Sequence, residues 1–346
     1  MCVCGGVYLC VCVCVFICMS VSLCECVCVG GGVSVCACVC FFMCVSVSVS
    51  ECLCVSIRDT TVSLYVSIGD LPNRADGSST GPTNFTVVTA LFDIGREKWN
   101  AGYKRHFGKY LSYISQVMKL RTNIVAFADS KAAAAIRNMR RNDAGRTRVV
   151  EMTFQDLPYY RHRARIQEIM NSDEFRQNNP LAVRRNPEAN VPEYDIVTCS
   201  KGYFLDRAAR MDPFNTSYFI FLDAGYAHGH NVFPADGVWR PKNLFEHSDQ
   251  ITMIERRRGV EHYRNSRHNL HKLNVAPVNG GFIAGGKRAV KRFQELAQEV
   301  MTEWLKKGIA DDDQSLAVMV YFKEPALFHL VHGGWHDVFK LFHRKQ

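Results

Sequence analysis

Short apolar runs that stop at a carboxylate or a turn alternate along this chain with stretches whose apolar residues recur three and four apart. Phe85-Thr-Val-Val-Thr-Ala-Leu-Phe92 has the β-branched and aromatic content of a strand and ends at the turn-like tetrad Asp93-Ile-Gly-Arg96. From Tyr103 to Leu120, Phe107, Tyr110, Leu111, Ile114, Val117 and Met118 fall at helical spacing. Asn123-Ile-Val-Ala-Phe-Ala-Asp129 predicts a second strand ended by a carboxylate, with Ser130 placed to cap an Ala-rich helix from Lys131. Arg146 to Thr153 predicts a third strand. Strand, helix, strand, helix, strand in this order implies parallel pairing through right-handed crossovers.

The same alternation continues. A helix is predicted over Tyr159 to Asn171 (inward Ile166, Ile169, Met170), then a loop over 173–193, which is polar and holds three prolines, then a helix over Tyr194 to Met211 with Phe204, Leu205 and Ala208 inward. Tyr218-Phe-Ile-Phe-Leu222 is five consecutive apolar residues, the mark of a strand buried on both faces. Asp223 follows directly, at the carboxyl end where open α/β sheets bind ligands; it reads equally well as the start of a turn. Beyond an irregular Gly/His/Pro segment to Lys242 come a strand at Ile251 to Ile254 and a Gly-rich stretch from Asn274 to Gly286. The pattern ends with an amphipathic helix over Ala289 to Lys306, a helix opened by Asp311-Asp312-Asp313, and a closing strand over Ala326 to Val331. The fold class is α/β.

Composition changes this picture only at the amino-terminal end. Fifteen of the 16 cysteines lie at or before Cys54, leaving Cys199 alone in the patterned region. Residues 1–56 alternate Cys with Val or Ser, which a TG repeat in DNA would encode, so we read them as a translated repeat or a misplaced start. Strict alternation gives none of the varied loop spacing of a disulfide scaffold, and metal binding by such a run would be nonspecific. Met1 to Cys24 carries no charge, so a membrane anchor is the competing reading, against which stand the missing basic flank and the strand-like alternation. Residues 57–83 are rich in Ser, Gly, Asp and Pro and read as a linker, leaving 84–346 as one large domain.

The chain has 42 basic and 33 acidic residues, net +9, and the first eighty positions hold two of the former and five of the latter. The domain is therefore more positive than the whole, which suits anionic ligands. The basic residues are scattered and no nucleic-acid motif accompanies them, so solvated helix faces account for most and no nucleic-acid partner is expected. No G-x-G-x-x-G follows the first strand, and P-loop, G-x-S-x-G and H-E-x-x-H motifs are missing from the sequence, which argues against the commonest nucleotide and hydrolase chemistries.

Carboxylates at strand ends and helix starts remain: Asp93, Asp129, Asp223 and the triplet Asp311 to Asp313. With the late histidines His329, His332, His336 and His343, they offer ligands for a divalent cation that would leave positions open for a diphosphate. Asp312 or Asp313 is placed to act as a general base or to bind acceptor hydroxyls. The plainer alternative is that the triplet caps its helix. His329, inside an apolar run, reads as core.

TVVTALFDIGR at 86–96, NIVAF from Asn123, PYYRHRARIQEIM at 158–170, NPEANVPEYD at 186–195, YFIFLDAGYAHG at 218–229, NGGFIAGG at 279–286 and DDDQSLAV at 311–318 together resemble the HtrL/YibB family, over roughly Asn84 to His343. The resemblance implies a GT-A-like domain: a mixed, mostly parallel sheet flanked by helices, with a nucleotide-sugar donor over the first strand and a manganese or magnesium ion on a D-x-D element. It places Thr89, Ala90, Phe92, Asp93, Arg96 and Gly225 near the nucleotide, Asp223 on the metal, and Gly280, Gly281 and Phe282 at an acceptor wall. The third D-x-D position is Gly225, so one carboxylate stands where two are usual, and His332 is the candidate to complete the set; VHGGWHDVFK at 331–340 is similar to the late histidine-glycine element of glycogenin-like transferases.

The expected function is metal-dependent transfer of a sugar from a nucleoside diphosphate to a glycan or other hydroxyl acceptor. The alternative is a non-catalytic protein that keeps the nucleotide-sugar pocket. Asn84-Phe-Thr86 and Asn215-Thr-Ser217 fit the glycosylation pattern, and one domain cysteine suits either a cytoplasmic or a Golgi/ER membrane-associated location. Transcript sequencing is expected to show no uninterrupted, translated message from Met1; finding one overturns the repeat reading of residues 1–56.

Overall fold

The computed structural model describes residues 84–99 and 102–342, together with the backbone of four short strands nearer the start. Those strands form two antiparallel pairs, β1 (Cys2–Cys4) with β2 (Tyr8–Cys10) and β3 (Leu23–Val27) with β4 (Val35–Val39), in keeping with the Val/Cys alternation. The linker, and most of the segment on which the anchor reading falls, lie outside the described residues. The chain divides into two units, Met1–Ser78 and Ser79–Gln346, and the second carries the patterned sequence.

Its framework is a seven-stranded sheet. In chain order come β5 (Phe85–Leu91), α1 (Phe107–Val117), β6 (Asn123–Ala128), α2 (Ser130–Met139) and β7 (Thr147–Glu151), followed by the helices α3 (Arg163–Asn171), α4 (Asp173–Asn178), α5 (Leu181–Arg184), α6 (Pro192–Cys199) and α7 (Lys201–Met211). Then come β8 (Tyr218–Leu222), β9 (Ile251–Glu255), β10 (Phe282–Gly286), α8 (Lys287–Lys306), α9 (Asp313–Lys323), β11 (Phe328–His332) and α10 (Val338–Leu341). The strand order is β11-β9-β10-β8-β5-β6-β7. β7, β6, β5 and β8 are parallel neighbours, β10 runs antiparallel to β8 and β9, and β11 is parallel to β9. The sheet is thus mixed and mostly parallel, as the resemblance implies.

Both faces are covered, which is why the central strands are mostly apolar. In β8, Phe219 and Phe221 point to one face, where they meet Phe204 of α7 and the packed side of α8. Tyr218, Ile220 and Leu222 point to the other, with Ile114 of α1, Ile136 of α2 and Phe339 of α10. The period-2 alternation of a strand therefore feeds two cores.

Three expectations are corrected. The segment 173–193 is helical in pieces, α4, α5 and a 3₁₀ turn at Pro187–Ala189, anchored by buried Phe175, Val183 and Ala189. Pro187 and Pro192 stand at first helical positions, where a missing N–H costs nothing, so they start helices instead of breaking them. The helix expected over Tyr194 to Met211 is two, broken at Ser200, whose hydroxyl bonds back to the Ile196 carbonyl at 2.6 Å. Asp129, not Ser130, caps α2, accepting from the Ala132 N–H at 2.8 Å.

Arg140 departs from the expectation of solvated basic residues in another way. It is buried, and its guanidinium donates to the carbonyls of Met118, Leu120 and Thr122 at 3.0, 2.7 and 2.9 Å and to the Thr147 hydroxyl at 2.8 Å. One planar fork thus ties the turn between α1 and β6 to the end of α2. Lysine's three N–H donors radiate from one nitrogen and cannot reach those four acceptors. Arg140→Lys is expected to cost at least about 2 kcal/mol in urea unfolding; an unchanged midpoint and slope would show the carbonyls to be otherwise satisfied.

Candidate functional site

The chain passes from β5 outward to β6 and β7, then returns to place β8 on the other side of β5. The carboxyl ends of β5 and β8 therefore part around a crevice, the position at which open α/β sheets bind ligands. A cleft lies there. Its floor is the end of β5 (Ala90 to Ile94) and the turn after β8 (Asp223 to Tyr226), and Lys201, Gly280, Gly281, Asp313 and Gln314 close one side.

The Asp223 turn does two jobs at once. Its Oδ1 accepts from the Gly225 N–H at 2.7 Å, which makes the turn, and its Oδ2 faces the Lys201 ammonium at 3.7 Å. Lys201 opens α7 just after the Ser200 break and is only 7 % exposed. It donates to Asp313 Oδ2 at 2.7 Å and to the Gly280 carbonyl at 2.9 Å. Gly280 is glycine for this reason: a Cβ there would land on the Asp313 carboxylate. Burial raises the Asp313 pKa to about 7 against the opposing pull of Lys201. Burial alone would lower that of Lys201, but Asp313, Asp223 and Asp312 together hold it above its ordinary value, so the lysine stays charged.

Behind this pair lies a run of buried acids. Asp195 on α6 is 1 % exposed, and among the described residues neither of its carboxylate oxygens has a hydrogen-bond partner. Burial, then Asp311 and Asp312, push its pKa far up, and Asp311 is raised by burial and by Asp312. Glu188 is raised by burial and by Asp312 to about 7.

The opposite wall is cationic and aromatic. The Arg96 guanidinium sits 4.6 Å from the Trp99 ring centre, 5.2 Å from Tyr110 and 5.7 Å from Tyr194. Arg105, whose N–H bonds the Arg96 carbonyl at 3.3 Å, lines the same wall with His228. Burial raises the Tyr110 pKa, while Arg96 and Arg105 pull it down. Burial lowers that of His228, leaving it neutral at physiological pH.

The family model described as "Bacterial protein of unknown function (HtrL_YibB)" matches residues 83–344. The chain belongs to the HtrL_YibB family. Protein HtrL of Escherichia coli (strain K12) is 28% identical over 272 residues, covering 74% of this chain and 92% of that protein. The crystal structure of mouse Xyloside xylosyltransferase 1 in its apo form is similar at a TM-score of 0.37 and 12% identity, over 72% of this chain and 85% of that one. At that distance the likeness says nothing about what this HtrL_YibB member acts on.

Of the residues expected at the site, this HtrL_YibB domain brings Ala90, Phe92, Asp93, Arg96, Asp223, Gly225, Gly280, Gly281 and Asp313 to one cleft. Four lie elsewhere. Thr89 is buried within β5. Asp312 takes the plain role and caps α9, accepting from the Gln314 N–H at 2.9 Å. Phe282 turns into the core and stacks on Phe342, 5.3 Å between ring centres. His332 does not line the cleft; it faces Glu255 at 4.0 Å, on the edge strand β11, and Trp335 reaches the cleft instead. His329 is half-buried, stacked on His247, and His336 packs on Tyr226 and His230; His343 lies outside the described residues. The residues that the pattern did not single out are Lys201, Arg105, Tyr110, Tyr194, His228 and Gln314. The motifs NPEANVPEYD, YFIFLDAGYAHG and DDDQSLAV contain Tyr194, His228 and Gln314 respectively, and are the signal that could have found them.

A divalent ion fits this donor set poorly. Gly225 supplies no carboxylate, the Lys201 ammonium already faces Asp223, and among the described residues no group of three His, Cys, Asp or Glu side chains is arranged to hold a metal ion.

The acid run predicts a pH-dependent cost. A carboxyl whose folded pKa is raised above its unfolded value of about 3.9 loses stability as pH climbs past that value. Asp195→Asn removes the titration while keeping the shape. It is expected to melt several degrees above the parent at pH 8, at about 2–4 °C per kcal/mol recovered, and level with it at pH 4. Equal melting at both values would mean that Asp195 has a partner in solution.

Proposed function

We propose that this HtrL_YibB domain transfers a sugar from a nucleoside-diphosphate donor to a hydroxyl acceptor. The observation that carries the reading is the placing of two carboxylates, Asp223 and Asp313, beside one ammonium in a cleft at the sheet's switch point. The acceptor hydroxyl lies against Asp313, whose pKa near 7 matches it to taking a proton at neutral pH. The bond from the sugar's anomeric carbon to the diphosphate oxygen breaks, and its electron pair leaves with the diphosphate. The acceptor oxygen bonds to that carbon, and its proton passes to the Asp313 carboxylate. Lys201 holds that carboxylate against Gly280 and keeps it oriented.

A second reading has one observation in its favour. The 2.7 Å contact between Lys201 and Asp313 occupies the carboxylate in the unliganded domain, which suits a protein that binds the donor without turning it over. Donor turnover decides between the two, measured on a panel of nucleotide-sugars with free nucleoside diphosphate as the readout.

For the transferase reading the base must be ionised, so kcat/KM is expected to rise with pH through about 7 and then level. Asp313→Asn is expected to lose that rise and at least about 100-fold in kcat. A variant that keeps the wild-type profile removes Asp313 from the reaction.

A further inference from the structure

The second wall of the cleft holds a cation in an unusual setting. The Arg96 guanidinium is enclosed by Trp99, Tyr110 and Tyr194, its Nε is buried without a hydrogen-bond partner, and among the described residues no carboxylate pairs with it. Ring faces attract a guanidinium, but they leave its N–H groups unsatisfied. Burying an unpaired charge is costly, and its planar fork matches phosphate oxygens. Arg105 adds a second cation on the same wall, with no ion-pair partner among the described residues.

Across the cleft, Asp223 and Asp313 would repel an anion were Lys201 not between them, 3.7 and 2.7 Å away. The ammonium cancels much of their field, so the charge felt at the Arg96 wall is positive. It also stands where a divalent ion on Asp223 would have to approach, and Gly225 withholds the second carboxylate such an ion needs. The charges that a metal-assisted site divides between an ion and its ligands are here divided between arginines and a lysine.

We propose that this cleft seats the diphosphate of a nucleoside diphosphate on Arg96 and Arg105, with Lys201 screening the two carboxylates, and that it does so without a divalent metal. The proposal rests on the donor reading above for the nucleotide, though the diphosphate seat itself does not require turnover.

Calorimetric titration of the full chain with inorganic pyrophosphate and with uridine diphosphate, each in EDTA and again in excess MnCl2, tests it. Both probes are expected to bind in EDTA, and excess MnCl2, which itself complexes the diphosphate, is expected not to strengthen that binding. Arg96→Gln is expected to weaken both probes by about tenfold or more, the scale of a lost charge-assisted hydrogen bond, and Arg96→Lys to restore little because it lacks the fork. If Arg96→Gln does not fold, Arg105→Gln, outside the aromatic cage, carries the same expectation. Binding that appears only with manganese overturns the proposal and leaves the transferase reading standing. Wild-type affinity in a folded Arg96→Gln or Arg105→Gln overturns the seat. Metal-free binding of pyrophosphate with no turnover of any nucleotide-sugar supports the seat and removes the transferase reading. No binding of either probe under either condition removes both.

Discussion

The buried ammonium of Lys201 is the point on which the domain's functional end depends. It joins the start of α7, the turn after β8, the glycines leading into β10 and the start of α9 through one donor group. Those segments contribute residues 201, 223, 280 and 313, far enough apart in the chain that only the fold brings them together. A charge this deep is tolerable only because carboxylates and a carbonyl surround it, and the carboxylates are tolerable only because of the charge. The mutual dependence explains the glycine at 280, which lets Asp313 come close, and the break at Ser200, which lets the lysine begin a helix at that spot.

Much of the fold was readable from the sequence because strand burial leaves a periodic record. Tyr218 to Leu222 is apolar at every position since helices cover both faces, and Phe85 to Leu91 and Asn123 to Ala128 are nearly so, with Thr86, Thr89 and Asn123 as the exceptions. The place of Asp223 in the cleft was readable from its position at a strand end. Its alternative reading as a turn former is also correct, since one carboxylate oxygen makes the turn and the other meets the lysine. What sequence pattern could not reveal is tertiary pairing. Lys201 and Arg140 look like any surface cation until the partners contributed by distant segments are known, and Pro187 and Pro192 look like loop formers until their positions at helix starts are seen. His332 was drawn by its motif, yet the edge strand carries it to Glu255 while Trp335, three residues on, reaches the cleft.

Asp195, Asp311 and Glu188 pull the other way from stability. Their carboxyls sit in surroundings that favour the neutral form, close behind the one pair that stays polar. Such a layer costs folding free energy at neutral pH and keeps the local dielectric low, which strengthens every charge interaction in front of it. The acids behind the cleft and the arginine cage across it are alike in one respect: Asp195 and Arg96 both hold buried polar atoms that no group among the described residues answers.

Gly225 has a consequence for descent. Its backbone is not in the left-handed region, and a Cβ added there would meet only side-chain atoms, the nearest being Asp223 Oδ1 at 3.2 Å. A glycine codon ending in T or C becomes an aspartate codon by a single base change, which would give the paired-carboxylate form of this strand end. Neither space nor charge bars that step, since an added carboxylate would share the cleft with the Lys201 ammonium; what the ammonium opposes is a divalent cation arriving beside it. Exchanging the lysine form for a metal-binding form therefore involves two positions 24 apart in the chain, and either change made first adds one unit of negative charge to the cleft.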